Sequence, residues 1–363
     1  GTSRMVFGAA AADGDGFSPV SGEGRKTSFQ ATLARTHRDF MAGKINAGEA
    51  VRLIIRSSKD LSEPARDYVL MTWVRDPDWR FRAVIARVLR RLKWSPSGLH
   101  PEHAIRALQA GRHVLSEKPM AFREADARRM IEAAKQSGRM LFVVKQNRYN
   151  PPVKLVEKLL REGVLGKPIQ CVVNMFWNRN EEYYTSDAWR GTKQLDGGTL
   201  FTQASHFVDL MLVLMGRPKW VFAAMGTYKQ NIETEDTGII MTEFESGALG
   251  VVNYTTCATN KNFEGSITLI GTKGTIKIGG EYLNTIEHFE VEGMDSYEFE
   301  GADAGANDYG SYKGSMSNHD KVFRDVVAKV SGTGGNGFSV SGEEAIEGVR
   351  FMEQANESAK KGE

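Results

Sequence analysis

The strongest constraint on the fold is an alternation of short apolar runs with helical stripes that begins near residue 95. His103–Gly111 has helical spacing and ends in glycine, and His113–Leu115 follows as a short apolar strand. Arg123–Ser137 carries Met130, Ile131 and Ala134 on one face and stops at Gly138; Met140–Val144 is the next strand. Parallel strands need crossovers, and helices are the usual ones, so this order predicts a parallel sheet with covering helices.

A second region has a different rhythm. Pro151 and Pro152 open a helix in which Val153, Val156, Leu159 and Leu160 form one stripe, closed by Gly163. Strand-like runs follow at Ile169–Trp177, Gly238–Phe244, Ala248–Thr255, Ser266–Ile270 and Thr275–Ile278. Glu245-Ser246-Gly247 and Gly271-Thr272-Lys273-Gly274 read as hairpin turns. A helix at Thr199–Met215 interrupts the strands, and helices near Asp320–Val330 and Glu343–Ser358 finish the chain. The prediction is a mostly antiparallel sheet with helices on one face.

The first 93 residues do not share this consistency. They hold 13 Arg and 4 Lys, whereas the remaining 270 residues hold 13 Arg and 17 Lys. Residues 9–24 read as loop, Glu49–Ser57 as a strand interrupted by Arg52 and Arg56, and Phe81–Leu92 as a basic helix. A net charge of +2 gives no footing for nucleic acid or a membrane surface as partner. The apolar run Leu210–Met215 is far short of the ~20 residues a membrane span needs. Cys171 and Cys257 lie far apart, support neither a zinc site nor a disulfide framework, and suit a reducing compartment. Without a visible signal segment, a cytoplasmic location is expected.

Three clusters can carry chemistry. Ser116-Glu117-Lys118-Pro119-Met120 follows a strand, where open parallel sheets bind ligands. Partial burial would lower the pKa of Lys118 and fit it for acid–base work, and a solvated lysine beside a turn proline is the plain alternative. In Gly197–Asp209 two glycines lead into a helix on which Thr202, His206 and Asp209 share a face. A structural histidine bonded to Asp209 would account for the same spacing. Gln146, Asn147 and Arg148, with Tyr184 and Arg190, offer amides, guanidinium groups and a phenol suited to a sugar or phosphate. A polar linker and core aromatics are the alternatives.

The Glu117-Lys118-Pro119 run, Ser95-Pro96 with His100 after it, and the Gly-Gly…His-x-x-Asp run together resemble the glucose–fructose oxidoreductase, inositol dehydrogenase and rhizopine-catabolism family. Phe142–Asn150, Phe176–Tyr184, Trp189–Gly191, Gln203–Asp209 and Asn231–Gly238 are more similar to its branch acting on UDP-N-acetylglucosaminuronates. The resemblance covers roughly residues 95 to 355. It implies an α/β fold: an N-terminal Rossmann-like domain over residues 1–150, atypical in 1–93, then an α+β domain over 151–363. The second domain has an open-faced, mostly antiparallel sheet that serves substrate and subunit contacts in a dimer or tetramer.

By the same resemblance Lys118 and His206 are catalytic, and the Lys118–Pro119 bond is cis. Ser95, Pro96, His100, Glu117 and Lys118 line the cofactor, which is NAD, with NADP the alternative. Gln146, Asn147, Arg148, Tyr184, Arg190 and Thr202 face a small nucleotide-sugar substrate, and no metal is called for. The implied reaction is hydride transfer from the sugar 3-hydroxyl. Another sugar or polyol dehydrogenase, or a non-catalytic nucleotide-sugar binder, is the alternative.

Two positions depart from the family pattern. Thr202 stands where many members carry an aspartate, which the glucuronate branch also lacks. More seriously, residues 1–94 show no glycine-rich turn of the G-x-G-x-x-G kind: Ala9–Gly16 lacks the spacing, and Gly22-Glu23-Gly24 leads into no evident helix. A foreign or frame-shifted leader joined to a family body explains both the arginine shift and the missing turn. A strongly diverged Rossmann half, or a chain that has lost cofactor binding, are the rival accounts. Sequencing the coding DNA upstream of Ser95 separates them: the leader account expects another frame encoding strand, glycine-rich turn and helix in register with Ser95. Absence of such a frame refutes it.

Overall fold

The computed structural model describes residues 5–7, 23–57, 96–298, 306–308, 313–334 and 337–362. The chain divides into two compact units, residues 9–95 and residues 1–8 with 96–363. The boundary falls where the arginine usage changes.

Within the first unit lie two helices, α1 (Glu23–Met41) and α2 (Ala47–Ser57). Phe29, Leu33 and Thr36 are buried at helical spacing on α1, and Ala50, Val51 and Ile54 on α2. Two expectations are corrected here. Glu23 and Gly24 begin a helix, and residues 49–57 are helical rather than a strand. The arginines that interrupt a strand pattern, Arg52 and Arg56, simply occupy the exposed face of α2. Its start is fixed by a reciprocal cap: Asn46 Oδ1 accepts the Glu49 N–H at 3.0 Å, and Glu49 Oε2 accepts the Asn46 N–H at 2.9 Å. The basic helix expected at Phe81–Leu92, and most of the loop expected at 9–24, lie outside the described residues.

The second unit holds the alternating region. β1 (Met5–Phe7), β2 (His113–Ser116) and β3 (Leu141–Val143) pair in parallel, and β13 (Val340–Ser341) adds antiparallel beside β3. Every residue of β2 and β3 is buried, because helices cover both faces. Val114 and Val143 pack with α3 (His100–Gln109), α4 (Glu124–Ser137) and α9 (Gly342–Lys361). Leu115 and Phe142 turn the other way, toward Val322 and Val326 of α8 (His319–Val330). α4 stops at Gly138 in the left-handed conformation (φ 61°). The sheet does not close by residue 150; its last strand comes from near the C-terminus.

The other sheet has seven strands in the order β10-β9-β8-β4-β7-β6-β5. In chain order they are β4 (Pro168–Phe176), β5 (Pro218–Gly226), β6 (Thr237–Phe244), β7 (Leu249–Thr255), β8 (Glu264–Gly271), β9 (Gly274–Gly279) and β10 (Thr285–Val291). All pairings are antiparallel except β4 with β7. Cys171, Val173 and Met175 of β4 face α5 (Pro151–Arg161), α7 (Ser205–Met215) and α9 in one apolar core. On the opposite face Trp220, Phe222, Ile239, Met241 and Leu249 are exposed. A short helix, α6 (Glu181–Thr185), and a hairpin, β11 (Ala306–Asp308) with β12 (Lys313–Met316), complete the described elements. No described helix is long and apolar enough to cross a membrane.

Candidate active site

Lys118 sits two residues past the C-terminal end of β2, and its bond to Pro119 is cis. The Pro119 carbonyl can only accept, so His100, at the start of α3, donates to it from Nδ1 at 2.7 Å. Burial, foremost, keeps the His100 pKa below its usual value. The Lys118 ammonium donates to the Thr202 carbonyl. That carbonyl belongs to a wide helical turn, Leu200–Ala204, that precedes α7. Such turns often mark functional sites because they put a backbone group out of the regular ladder. Burial lowers the Lys118 pKa from 10.5 to about 8, with Lys145 and Arg179 adding to the effect and Glu117 and Asp196 opposing it.

The approach to α7 depends on two glycines with left-handed backbones. At Gly197 (φ 81°) a Cβ would lie 2.5 Å from the Phe122 ring; at Gly198 (φ 106°) it would lie 2.1 Å from Glu235 Oε2. His206 lies on the helix that follows, within range of the Lys118 charge. His206 is 5 % exposed, and burial, followed by the charges of Lys118, Lys145 and His319, holds its pKa well below 6.5. Its imidazole is therefore neutral at neutral pH.

Asp209 does not serve His206. Its two carboxylate oxygens accept Arg148 Nε and Nη2, both at 2.8 Å, and Lys145 Nζ lies 3.3 Å from Oδ1. Arg148 Nη1 donates to Glu344 at the start of α9. Burial alone would raise the Asp209 pKa, but the two cations outweigh it and hold it at about 2. The guanidinium expected to face substrate is thus spent on protein carboxylates, and Arg148 ties the end of β3 to α7 and α9.

The remaining expected residues fall in two groups. Gln146 and Asn147 are buried in the turn after β3; Gln146 Nε2 donates to Ser315 at 2.8 Å. Gln146 Oε1 and Asn147 Oδ1 accept nothing among the described residues. Tyr184, on α6, bonds Thr256 through its hydroxyl at 3.1 Å. Arg190 stacks 4.1 Å over the Tyr183 ring and donates to Asp187 at 3.1 Å. Thr202 is half-buried and gives its hydroxyl hydrogen to the Gly198 carbonyl at 2.8 Å. Pro96 begins a turn whose Gly98 N–H reaches the Leu195 carbonyl at 2.9 Å. Glu117 is exposed, with His319 Nε2 3.8 Å from its carboxylate. Ser95 lies outside the described residues.

Three site groups escape a reading of the sequence. Arg179 is 1 % exposed and donates to Gln203 Oε1 at 2.7 Å, with Trp177 and Tyr183 rings beside it. Asp196 is 2 % exposed, and burial raises its pKa to about 6. Glu235 accepts the Leu200 N–H at 2.7 Å, and burial raises its pKa to about 7. Asp196 could have been found from its position just before Gly197-Gly198. Among the described residues no cluster of His, Cys, Asp and Glu could hold a metal ion.

A half-buried lysine at the end of a parallel strand is met here by the turn before a helix that lies on an open antiparallel sheet, an α/β arrangement. Residues 93–145 match the oxidoreductase family's NAD-binding Rossmann fold, and residues 153–277 match the GFO/IDH/MocA C-terminal domain. The WlbA dehydrogenase from Bordetella pertussis, solved with NADH and UDP-GlcNAcA, is 37 % identical, with a TM-score of 0.65 over 74 % of this chain and 76 % of that one. Its counterpart from Chromobacterium violaceum is 35 % identical, with a TM-score of 0.65 over 74 % of each chain. A scyllo-inositol 2-dehydrogenase (NADP(+)) of Bacillus subtilis is 34 % identical over 142 residues, 39 % of either chain. The levoglucosan dehydrogenase of Pseudarthrobacter phenanthrenivorans is 26 % identical over 53 % of this chain and 56 % of that one. The chain spans about half the length of the curated relatives it matches.

The chain belongs to the GFO/IDH/MocA oxidoreductase family. Sugar and polyol dehydrogenases recur among its relatives, and the cofactor expected from the sequence, NAD, is the one the Rossmann match specifies. That match begins at residue 93, beside the compositional seam.

Proposed function

We propose that this chain oxidises the 3-hydroxyl of a UDP-N-acetylglucosaminuronate-type nucleotide sugar and passes the hydride to NAD. The observation that carries the reading is the hydrogen bond from Lys118, titrating near 8, to the Thr202 carbonyl, on the turn that leads to neutral His206. The two WlbA enzymes, crystallised with a nucleotide sugar acid, support the choice of substrate.

The residues present fit a nicotinamide dinucleotide. Pro96, His100 and Glu117 would hold it at the end of β2, with Ser95 before them. When bound, the nicotinamide ring supplies the hydride acceptor. Gln146 Oε1 and Asn147 Oδ1 are buried acceptors that suit ligand hydroxyl or amide donors. Tyr184, Arg190 and Thr202 complete the sugar side; Arg148 acts through Asp209 instead. The substrate O–H proton passes to the Lys118 amine as the C–H hydride departs, leaving a carbonyl and an ammonium. His206, kept neutral, orients the reacting oxygen. Residues 1–150 then serve the cofactor and 151–363 the sugar. A cytoplasmic dimer or tetramer would cover the open face of Trp220, Phe222, Ile239 and Met241.

Fluorescence titration with NADH, followed by turnover of UDP-N-acetylglucosaminuronate and of myo-inositol, tests this. Saturable NADH binding and selective turnover of the nucleotide sugar are expected. Binding of the nucleotide sugar with no NADH signal would make the chain a non-catalytic binder. Equal turnover of the polyol would make it a general polyol dehydrogenase.

A further inference from the structure

The turn that meets Lys118 is held from outside its own helix, by Glu235. Thr199 and Leu200 open that turn, so their N–H groups have no partner within the helix and need an acceptor from elsewhere. Glu235 supplies both: its Oε1 accepts the Leu200 N–H at 2.7 Å, and its backbone carbonyl accepts the Thr199 N–H at 3.4 Å. Thr199 and Leu200 are buried, which shuts out water as the alternative. The same carboxylate packs against Gly198, where a Cβ would overlap it. Gly198 in turn carries Thr202: its carbonyl accepts the Thr202 N–H at 3.0 Å and the Thr202 hydroxyl at 2.8 Å. The Thr202 carbonyl, at the far end of this chain of contacts, receives the Lys118 ammonium.

Glu235 is itself well anchored. The buried carboxylate of its neighbour Asp236 accepts the N–H groups of Tyr228 (3.0 Å), Lys229 (2.8 Å) and Gln230 (2.9 Å). The Asp236 N–H reaches the Gly226 carbonyl at 3.1 Å, and its own carbonyl accepts the Thr256 N–H at 2.9 Å. Two successive acidic residues thus divide the work: Asp236 fixes the segment before β6, and Glu235 reaches from it to the turn before α7.

We propose that Glu235 is a positioning residue for Lys118: it caps the turn before α7 from the segment before β6 and so holds the Thr202 carbonyl where the lysine end docks. The side-chain contact does not require the carboxylate's charge, only an oxygen at the Leu200 N–H and a side chain long enough to put it there. The Thr202 carbonyl stabilises the ammonium form of Lys118, because a charged donor bonds more strongly than a neutral one. Releasing the turn therefore frees the lysine end and moves its proton balance toward the amine. The inference deepens the proposed dehydrogenase site and rests on that reading for its catalytic meaning.

The test is NMR titration of the full chain labelled with ε-¹³C-lysine, with the Lys118 signal assigned by its loss in Lys118→Met, alongside turnover and NADH binding. The wild-type midpoint should lie near 8. In Glu235→Ala it should move down by roughly one pH unit, the scale of one hydrogen bond to a charged group. The same variant should lose up to roughly 10²-fold in kcat, as for a misplacement of about 1 Å, and keep its NADH affinity. Glu235→Gln keeps the length and an oxygen for the Leu200 N–H, so it should restore the midpoint and most of kcat. The charges that act on Lys118, those of Glu117, Lys145, Arg179 and Asp196, stay in place in every variant. A wild-type midpoint in Glu235→Ala overturns the proposal even if stability falls, because a purely structural cap would cost stability alone. Equal shifts in Glu235→Ala and Glu235→Gln overturn it too, by tracing the effect to the lost charge. Should Glu235→Ala fail to fold, Glu235→Asp decides. Its carboxylate is one methylene short of Leu200, so the midpoint should still move down, and an unmoved one overturns the proposal. Full turnover by Lys118→Met, alongside the expected shifts, would sink the dehydrogenase reading and leave the positioning of the lysine standing. An inactive Lys118→Met with an unmoved Glu235→Ala midpoint would do the reverse.

Discussion

Replacing Lys118 by methionine should lower kcat roughly 10²–10⁴-fold, the usual weight of general acid–base catalysis, while NADH affinity changes little. The hydride cannot leave a secondary alcohol without its hydroxyl proton leaving at about the same time, so the amine must be within hydrogen-bond reach of that oxygen. Methionine keeps most of the apolar stem but neither accepts the proton nor bonds the Thr202 carbonyl. In the wild type the oxidation should slow as pH drops below about 8, because the working form is the neutral amine. Lys118→Met should erase that limb of the profile. His206→Ala should also act mainly on kcat, and the double variant should lose less than the product of the single losses, since both residues serve one proton. Near-normal turnover of Lys118→Met, or an effect confined to cofactor affinity, would remove Lys118 from its proposed role.

Asp209→Asn should cost about 3–5 kcal/mol of stability, the scale for removing one partner of a buried ion pair. Asp209 meets Arg148 through both oxygens and Lys145 through one, and all three side chains are nearly inaccessible. Asparagine would take the counter-charge from Lys145 and leave Arg148 with Glu344 alone. Urea melts of the wild type, Asp209→Asn, Arg148→Met and the double variant would measure this, with the double variant costing less than the sum. The pH dependence has a definite sign. The Asp209 pKa falls from 3.8 to about 2 on folding, so its contribution is complete above about pH 4 and is lost as pH drops toward 2. The stability gap between wild type and Asp209→Asn should therefore narrow over that interval. A constant gap, or a cost below about 1 kcal/mol, would mean that the pair is solvated in solution.

Local pattern carried much of this molecule. The glycine after α4, the prolines that open α5 and the period-2 runs of β4 and β6 are short-range signals, and each element stands within a few residues of its expected place. The Gly197-Gly198 turn was readable for the same reason, since only residues without a Cβ fit against Phe122 and Glu235. Elsewhere periodicity misled or fell silent. In α2 the arginines masked a helical stripe that the Asn46–Glu49 cap would have announced. β5 puts Trp220 and Phe222 on the open sheet face, so no polar alternation marks it as a strand.

The sequence by itself determined which residue types could do chemistry: the lysine after β2, the imidazole on α7, and the polar run after β3. Tertiary structure decided what state those groups are in and whom they serve. Arg148 meets a carboxylate 61 residues away and another 196 away, and so became part of the frame. Asp209 left its helix neighbour His206 for two cations. The Thr202 carbonyl meets Lys118, 84 residues away along the chain, only because the turn before α7 folds onto the end of β2. Ionisation depends on burial and on charges within a few ångströms, and those distances are set by packing between remote segments rather than by spacing along the chain.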